Sequence, residues 1–154
     1  MKTIDFFMAS SAELKLERME LVDLLQDLSE ETEERGIRLK PVLWEFMDSS
    51  MRAERKEDEY LERLRQCEIC LVMFWRTLGE YTVEELDVAV AEKQAGRNPK
   101  LVLLLFKEPA DDMSLELFAF KKNYSKNYPN IPYRVFTNTK VLREEVAQLL
   151  TSIL

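Results

Sequence analysis

The stretch 79-GEYTVEEL-86 sets two adjacent glutamates, Glu84 and Glu85, at the start of a helical pattern, in a chain that contains no histidine. Without imidazole, Ser-His-Asp and Cys-His nucleophile systems are excluded, and neither G-x-x-x-x-G-K-[ST] nor G-x-G-x-x-G is present to cradle a nucleotide's phosphates. What remains is carboxylate chemistry. A lone glutamate beside aromatic side chains suits cleavage at a sugar carbon, because that transition state is oxocarbenium-like and needs a nearby negative charge rather than a strong base.

Helical geometry separates the two glutamates. At about 100° per residue, Val83, Leu86 and Val90 define an apolar face, Glu84 lies nearly opposite it as a solvated charge, and Glu85 lies at its margin beside Ala89. A ligand can reach such a margin, and partial burial there raises a carboxylate's pKa. A plainer account competes with this one. Thr82-x-x-Glu85 is a capping-box pattern, worth about 0.5–2 kcal/mol, which explains Glu85 with no chemistry at all.

The two cysteines, Cys67 and Cys70, form a C-x-x-C beside the apolar run 68-EICLVMFW-75. Read as a strand, that run puts thiols at an odd spacing on opposite faces, so the pair is expected to be structural rather than redox-active. A zinc site would have to use carboxylates in place of histidines, which structural zinc rarely does; no metal is expected.

The apolar pattern supplies a scaffold for such a group. The run 3-TIDFFMA-9 passes at Ser10 and Ser11 into a long amphipathic segment over residues 12–34, with Leu14, Leu21, Val22, Leu25 and Leu28 at helical spacing and Ser10-x-x-Glu13 as a capping-box pattern. Gly36 ends that helix, and 37-IRLKPVLW-44 reads as a strand that Pro41 demotes towards a sheet edge. After the polar stretch 45–54 come a second helix with Tyr60, Leu61 and Leu64 on one side, a third strand over 68–75, a third helix over 82–95 and a fourth strand over 100–107. A short helix over 112–122, an edge strand over 132–136 and a terminal helix over 139–154, with Val141, Leu142, Val146, Leu149 and Leu150 inward, complete five β-α units. Near-continuous apolar strands alternating with helices indicate a parallel sheet covered on both faces. The expected fold is therefore α/β, a flavodoxin-like doubly wound five-stranded parallel sheet in the order 2-1-3-4-5, with its ligand crevice beyond the carboxyl ends of the first and third strands.

With 154 residues, 46% apolar and 33% charged, and no low-complexity tract, the chain reads as one folded domain over 1–154. A net charge of −7 argues against binding nucleic acid, since phosphate-backbone affinity rests on Lys and Arg; the patch 121-KKNYSK-126 is a weak local exception. No apolar run is long enough to cross a membrane, and 1-MKTIDFFMAS-10 lacks a signal-peptide core, so a cytoplasmic location is expected.

In this topology the crevice collects Ser10 and Ser11 from the first strand, Trp44 and the following loop from the second, and 75-WRTLGEYTVEEL-86 from the third. The amides of the first helix, with the two hydroxyls, suit an anion such as a phosphate; simple helix capping explains the serines equally well.

These segments resemble the TIR domains, in particular the bacterial TIR-like branch at the front of defence and signalling proteins. The resemblance is carried by 9-ASSAELKLERMEL-21, 43-LWE-45, 57-EDEYLERLRQCEICLVMF-74 and 78-LGEYTVEELDVAVAEK-93, and spans roughly residues 1–110. TIR domains that hydrolyse NAD+ carry W-x-x-x-E in the helix after the third strand, followed by Leu or Phe; here Tyr81-x-x-x-Glu85-Leu86 fills that pattern, with Tyr where many members have Trp. By resemblance, Glu85 is catalytic and Ser10, Ser11, Trp44 and Tyr81 line the NAD+ pocket. The resemblance also implies that the 45–54 loop, with Met47 and Met51, would mediate assembly and could gate the pocket; it lacks the glycine and proline many TIR loops carry there.

The resemblance implies an NAD+ glycohydrolase that releases nicotinamide and ADP-ribose or a cyclic isomer, takes NAD+ as substrate with no further cofactor, self-associates through TIR-TIR contacts, and answers to a fused or partner sensor domain in bacterial immune signalling. Two other readings fit the same residues: a non-catalytic interaction module, and a nucleoside-processing enzyme of the deoxyribosyltransferase type.

Overall fold

The computed structural model describes residues 1–43, 57–79 and 81–154. At its centre is an all-parallel sheet in the order β2-β1-β3-β4-β5, built from β1 (Lys2–Ser10), β2 (Ile37–Val42), β3 (Ile69–Phe74), β4 (Leu101–Lys107) and β5 (Tyr133–Phe136). The helices are α1 (Lys15–Glu31), α2 (Glu57–Arg65), α3 (Thr82–Gln94), α4 (Leu115–Lys122), α5 (Tyr124–Asn127) and α6 (Thr139–Leu150). This is the flavodoxin-like, doubly wound order that the alternation of apolar strands and amphipathic helices predicts.

Strand alternation splits the core into two layers. Ile4, Phe6 and Met8 of β1, with Leu71 and Met73 of β3, pack against Leu21 and Leu25 of α1 and Leu142, Val146 and Leu150 of α6. Phe7 and Ala9, with Cys70, Val72 and Phe74, face Leu64 of α2, Leu86, Ala89 and Val90 of α3 and Leu117 of α4. Every residue of β3 is buried, as a central strand covered on both faces requires. Each fully buried Leu or Phe contributes about 1.5–3 kcal/mol relative to exposure. Pro41 sits on edge strand β2 opposite Phe6, the kind of strand that tolerates proline, and β5 closes the other edge with four residues.

Several expectations need correction. Ser10 still belongs to β1, a 3-10 turn over Ala12–Leu14 intervenes, and α1 starts only at Lys15, so the Ser10-x-x-Glu13 capping box does not form. The long first helix stops at Glu31; a second 3-10 turn, Glu33–Arg35, leads to Gly36. The terminal helix ends at Leu150 rather than 154, and α5 was not expected. Among the described residues, side-chain caps form at Ser114 and Asn138, which accept from the amides of Leu117 and Val141.

The C-x-x-C reading also changes. Cys67 precedes β3, so the two-residue strand period does not apply to it, and both thiols lie in the same apolar layer. Burial raises the pKa of each. Among the described residues no helix is long and apolar enough to cross a membrane, and no group of three or more metal-ligating side chains gathers.

Candidate active site

The crevice is built where β1 and β3 end, because there the chain turns outwards in opposite directions and leaves a gap above the sheet. From β1 come Ser10 and Ser11, both half-buried. From β3 comes Trp75 and the segment that leads through Gly79 to α3.

Gly79 brings the two sides together. Its φ is +75°, and a Cβ added there would overlap Thr82 Oγ1 and lie 3.4 Å from Ser11 Cβ. Only glycine gives both that backbone conformation and that clearance. The start of α3 is thus packed against the end of β1.

On α3 the buried residues are Thr82, Glu85, Leu86, Ala89 and Val90, while Val83 is half-buried and Glu84 exposed. The buried face is therefore turned towards Glu85, which lies on it rather than at its margin, with 4% of its surface exposed. The capping-box account of Glu85 is also corrected. Tyr81 occupies the N-cap position with no side-chain cap hydrogen bond, Thr82 is the first helical residue, and the Glu85 amide donates to the Tyr81 carbonyl at 3.0 Å as an ordinary helical bond. The Glu85 carboxylate faces the β3 layer: after burial itself, its charge is the next cause that keeps the Cys70 thiol protonated.

Charged side chains cluster at the same carboxyl edge. Arg18 is 1% exposed; its guanidinium donates to the Ser10 hydroxyl and, at 2.9 Å, to the Ser11 carbonyl. Glu17, 3% exposed, pairs with Lys107 at the end of β4, 2.7 Å away. The Trp75 indole donates to the Pro109 carbonyl at 2.8 Å, and Arg76 Cζ and Lys107 Nζ each stand 3.9 Å from a ring centre of that indole. Trp75 is accordingly a wall of the edge, engaged by cations. Glu13 accepts hydrogen bonds from Ser11, Arg76 and Thr77. Burial pushes the Glu13 pKa up, but those donors, led by the Thr77 amide, outweigh it and hold the carboxyl below its ordinary range.

The fold thus brings Ser10, Ser11, Tyr81 and the helix bearing Glu85 to one edge of the sheet. Trp44, Met47 and Met51 lie outside the described residues. Glu13, Glu17 and Arg18 were not anticipated, yet a signal existed. Leu14, Glu17, Leu21 and Leu24, and likewise Leu14, Arg18, Leu21 and Leu25, follow helical spacing, so two charges fall on the apolar stripe of α1. A charge at such a position must be paired, and partners lie where the strands end. A cavity of about 340 Å³ is lined by none of these residues but by Tyr124, Tyr128, Ile131 and Tyr133, the last of which begins β5.

No protein-family model matches the chain, and no curated protein matches it.

Proposed function

We propose that this chain is a TIR-type NAD+ glycohydrolase that releases nicotinamide from NAD+. The observation that carries the reading is Glu85: a carboxylate 4% exposed, in the first turn of the helix that follows β3 in a 2-1-3-4-5 sheet, where the N-cap position is held by Tyr81 and no capping box forms. In the reaction the bond between the ribose carbon and nicotinamide breaks, and its electron pair leaves on the ring nitrogen. The sugar carbon becomes cationic, a water or a second nucleophile on the same molecule adds there, and a proton is lost. A fixed negative charge in a low-dielectric site favours that cation far more than the same charge in water. Ser10, Ser11 and Tyr81 are the candidates to hold the ribose and phosphates. The enzyme's expected setting is cytoplasmic, as an effector in bacterial defence that works by self-assembly under a sensor.

A second reading, a non-catalytic interaction module, is favoured by one observation. α4 presents Leu115, 82% exposed, and Phe118, 58% exposed, on neighbouring turns of one helix face. The deciding experiment is incubation of the purified chain with NAD+ followed by chromatography. Nicotinamide release supports the glycohydrolase; inertness supports the module; base exchange on deoxynucleosides with NAD+ left intact would instead favour a deoxyribosyltransferase.

A further inference from the structure

The geometry points to Glu13 as a positioning residue: its carboxylate locks Arg76 and Thr77, just after β3, onto the end of β1, and so fixes where the first turn of α3 carries Glu85. The inference rests on the glycohydrolase reading of Glu85 and adds a residue that stands outside the chemistry.

Glu13 reaches across more than sixty residues of sequence. Its Oε2 accepts from the Thr77 amide at 2.9 Å, the Thr77 hydroxyl at 2.8 Å, the Arg76 amide at 3.2 Å and the Ser11 hydroxyl at 2.9 Å, while its Oε1 accepts from Arg76 Nε at 3.1 Å. The Arg76 side chain is 43% exposed, so the ion pair alone would be an ordinary and weak surface pair. The amides make the difference. Bonds from backbone N–H groups to a carboxylate are charge-assisted and fix the chain itself rather than a side chain's end. The other side of the same peptide is held as well, because the Arg76 carbonyl accepts from the Ser114 amide at 2.8 Å.

From Thr77 the restraint passes to α3 by contact. Two residues on, Gly79 adopts a φ of +75° against both Ser11 and Thr82, and Thr82 is the first residue of the helix. A shift at Thr77 therefore moves the start of α3, and Glu85 lies within its first turn. Misplacing a reacting group by about 1 Å costs as much as a hundredfold in rate. The only charged group facing Glu13 in these contacts is Arg76; the other donors are neutral. The depressed pKa agrees with a carboxylate that stays ionised at neutral pH.

The test uses the full chain in four forms: wild type, Glu13→Gln, Glu13→Ala, and Glu144→Gln as a control on the exposed side of α6. Melting temperature, amide exchange at Arg76 and Thr77, and kcat and KM for NAD+ are measured for each. Glu13→Gln keeps the shape and one acceptor oxygen, so it should stay folded, lose about tenfold in Thr77 protection and lose about tenfold in kcat with KM nearly unchanged. Glu13→Ala should lose more of both, and Glu144→Gln neither. A carboxylate that served only overall stability would lower the melting temperature without lowering kcat per folded molecule. Lost protection with kcat retained, or a loss confined to KM, would overturn the positioning role. A wild type that releases no nicotinamide would remove the glycohydrolase reading and the positioning role with it. Amide exchange in Glu13→Gln would then still report whether the lock itself exists, so the two failures are distinguishable.

Discussion

Glu84 and Glu85 stand one residue apart on α3, and that single step of rotation separates an exposed carboxylate from one with 4% of its surface exposed. Glu85→Gln preserves shape and removes the charge. Nicotinamide release should therefore fall at least about a hundredfold, the usual scale for one electrostatic contributor, while Glu84→Gln changes it little. Equal losses in the two variants, measured as initial rates at saturating NAD+, would count against Glu85. The cysteines lead to a different expectation. Burial pushes the Cys67 thiol up to about 12, and the Arg63 guanidinium 3.7 Å from the sulfur offsets this only in part. An unfolded thiol ionises near pH 8.5. Between those two values the unfolded chain gives up a proton that the folded chain keeps, so this contribution to stability is whole below about pH 8.5 and declines above it, by at most about 1.4 kcal/mol per pH unit. Urea midpoints between pH 8 and 10 should fall more steeply for wild type than for Cys67→Ala. Parallel slopes would show that the folded thiol titrates normally. At this scale helical spacing foretells that Glu84 is solvated but sets Glu85 at the margin of a face on which it is buried, and it hides Glu13, whose donors lie more than sixty residues on, after the neighbouring strand β3.

At the scale of elements, spacing predicts which segments are helices and strands better than it predicts how each begins. Both capping boxes read from Ser10-x-x-Glu13 and Thr82-x-x-Glu85 fail, because β1 runs through Ser10 and the turn of α3 is set by Gly79 rather than by a hydroxyl. In each case tertiary contact overrides a local preference. The glycines make this measurable. Gly79 and Gly96 have nearly the same φ, +75° and +77°, so alanine strains the backbone equally at both, by about 1 kcal/mol. They differ in their surroundings. Nothing stands within 4 Å of a Cβ at Gly96, whereas at Gly79 it would overlap the Thr82 hydroxyl and press on Ser11. Gly96→Ala should therefore cost only the strain, and Gly79→Ala should cost more and also depress nicotinamide release by displacing the start of α3. Denaturant midpoints and rates for both variants decide this; equal costs and unchanged rates would mean that the Gly79 contact yields without consequence.

For the whole molecule, the layered sheet was legible because burial on both faces leaves near-continuous apolar runs, most plainly 69–74 and 101–107, and because parallel strands need helical crossovers between them. What pattern alone could not supply was the surface, since exposed apolar residues have no period to betray them. Leu115 and Phe118 are such residues, 82% and 58% exposed on α4, with Lys121 and Lys122 in the last turn of the same helix. A glycohydrolase that works by self-assembly would use such a patch, because a lone domain leaves its crevice wet and water weakens the effect of Glu85 on the cationic transition state. The net charge of −7 opposes association by repulsion between copies. At about 0.1 M salt charges are screened beyond about 10 Å, so added salt should strengthen assembly, whereas association driven by opposite charges would weaken. Nicotinamide release per protomer should accordingly rise with protein concentration and rise further with moderate salt. Leu115→Asp with Phe118→Asp should abolish both rises while leaving the melting temperature nearly unchanged, since neither side chain is buried. Initial rates across a wide concentration series, read alongside light scattering, carry the test. A flat, high rate from a strictly monomeric species would mean that one chain holds a complete site and that the α4 patch serves another partner.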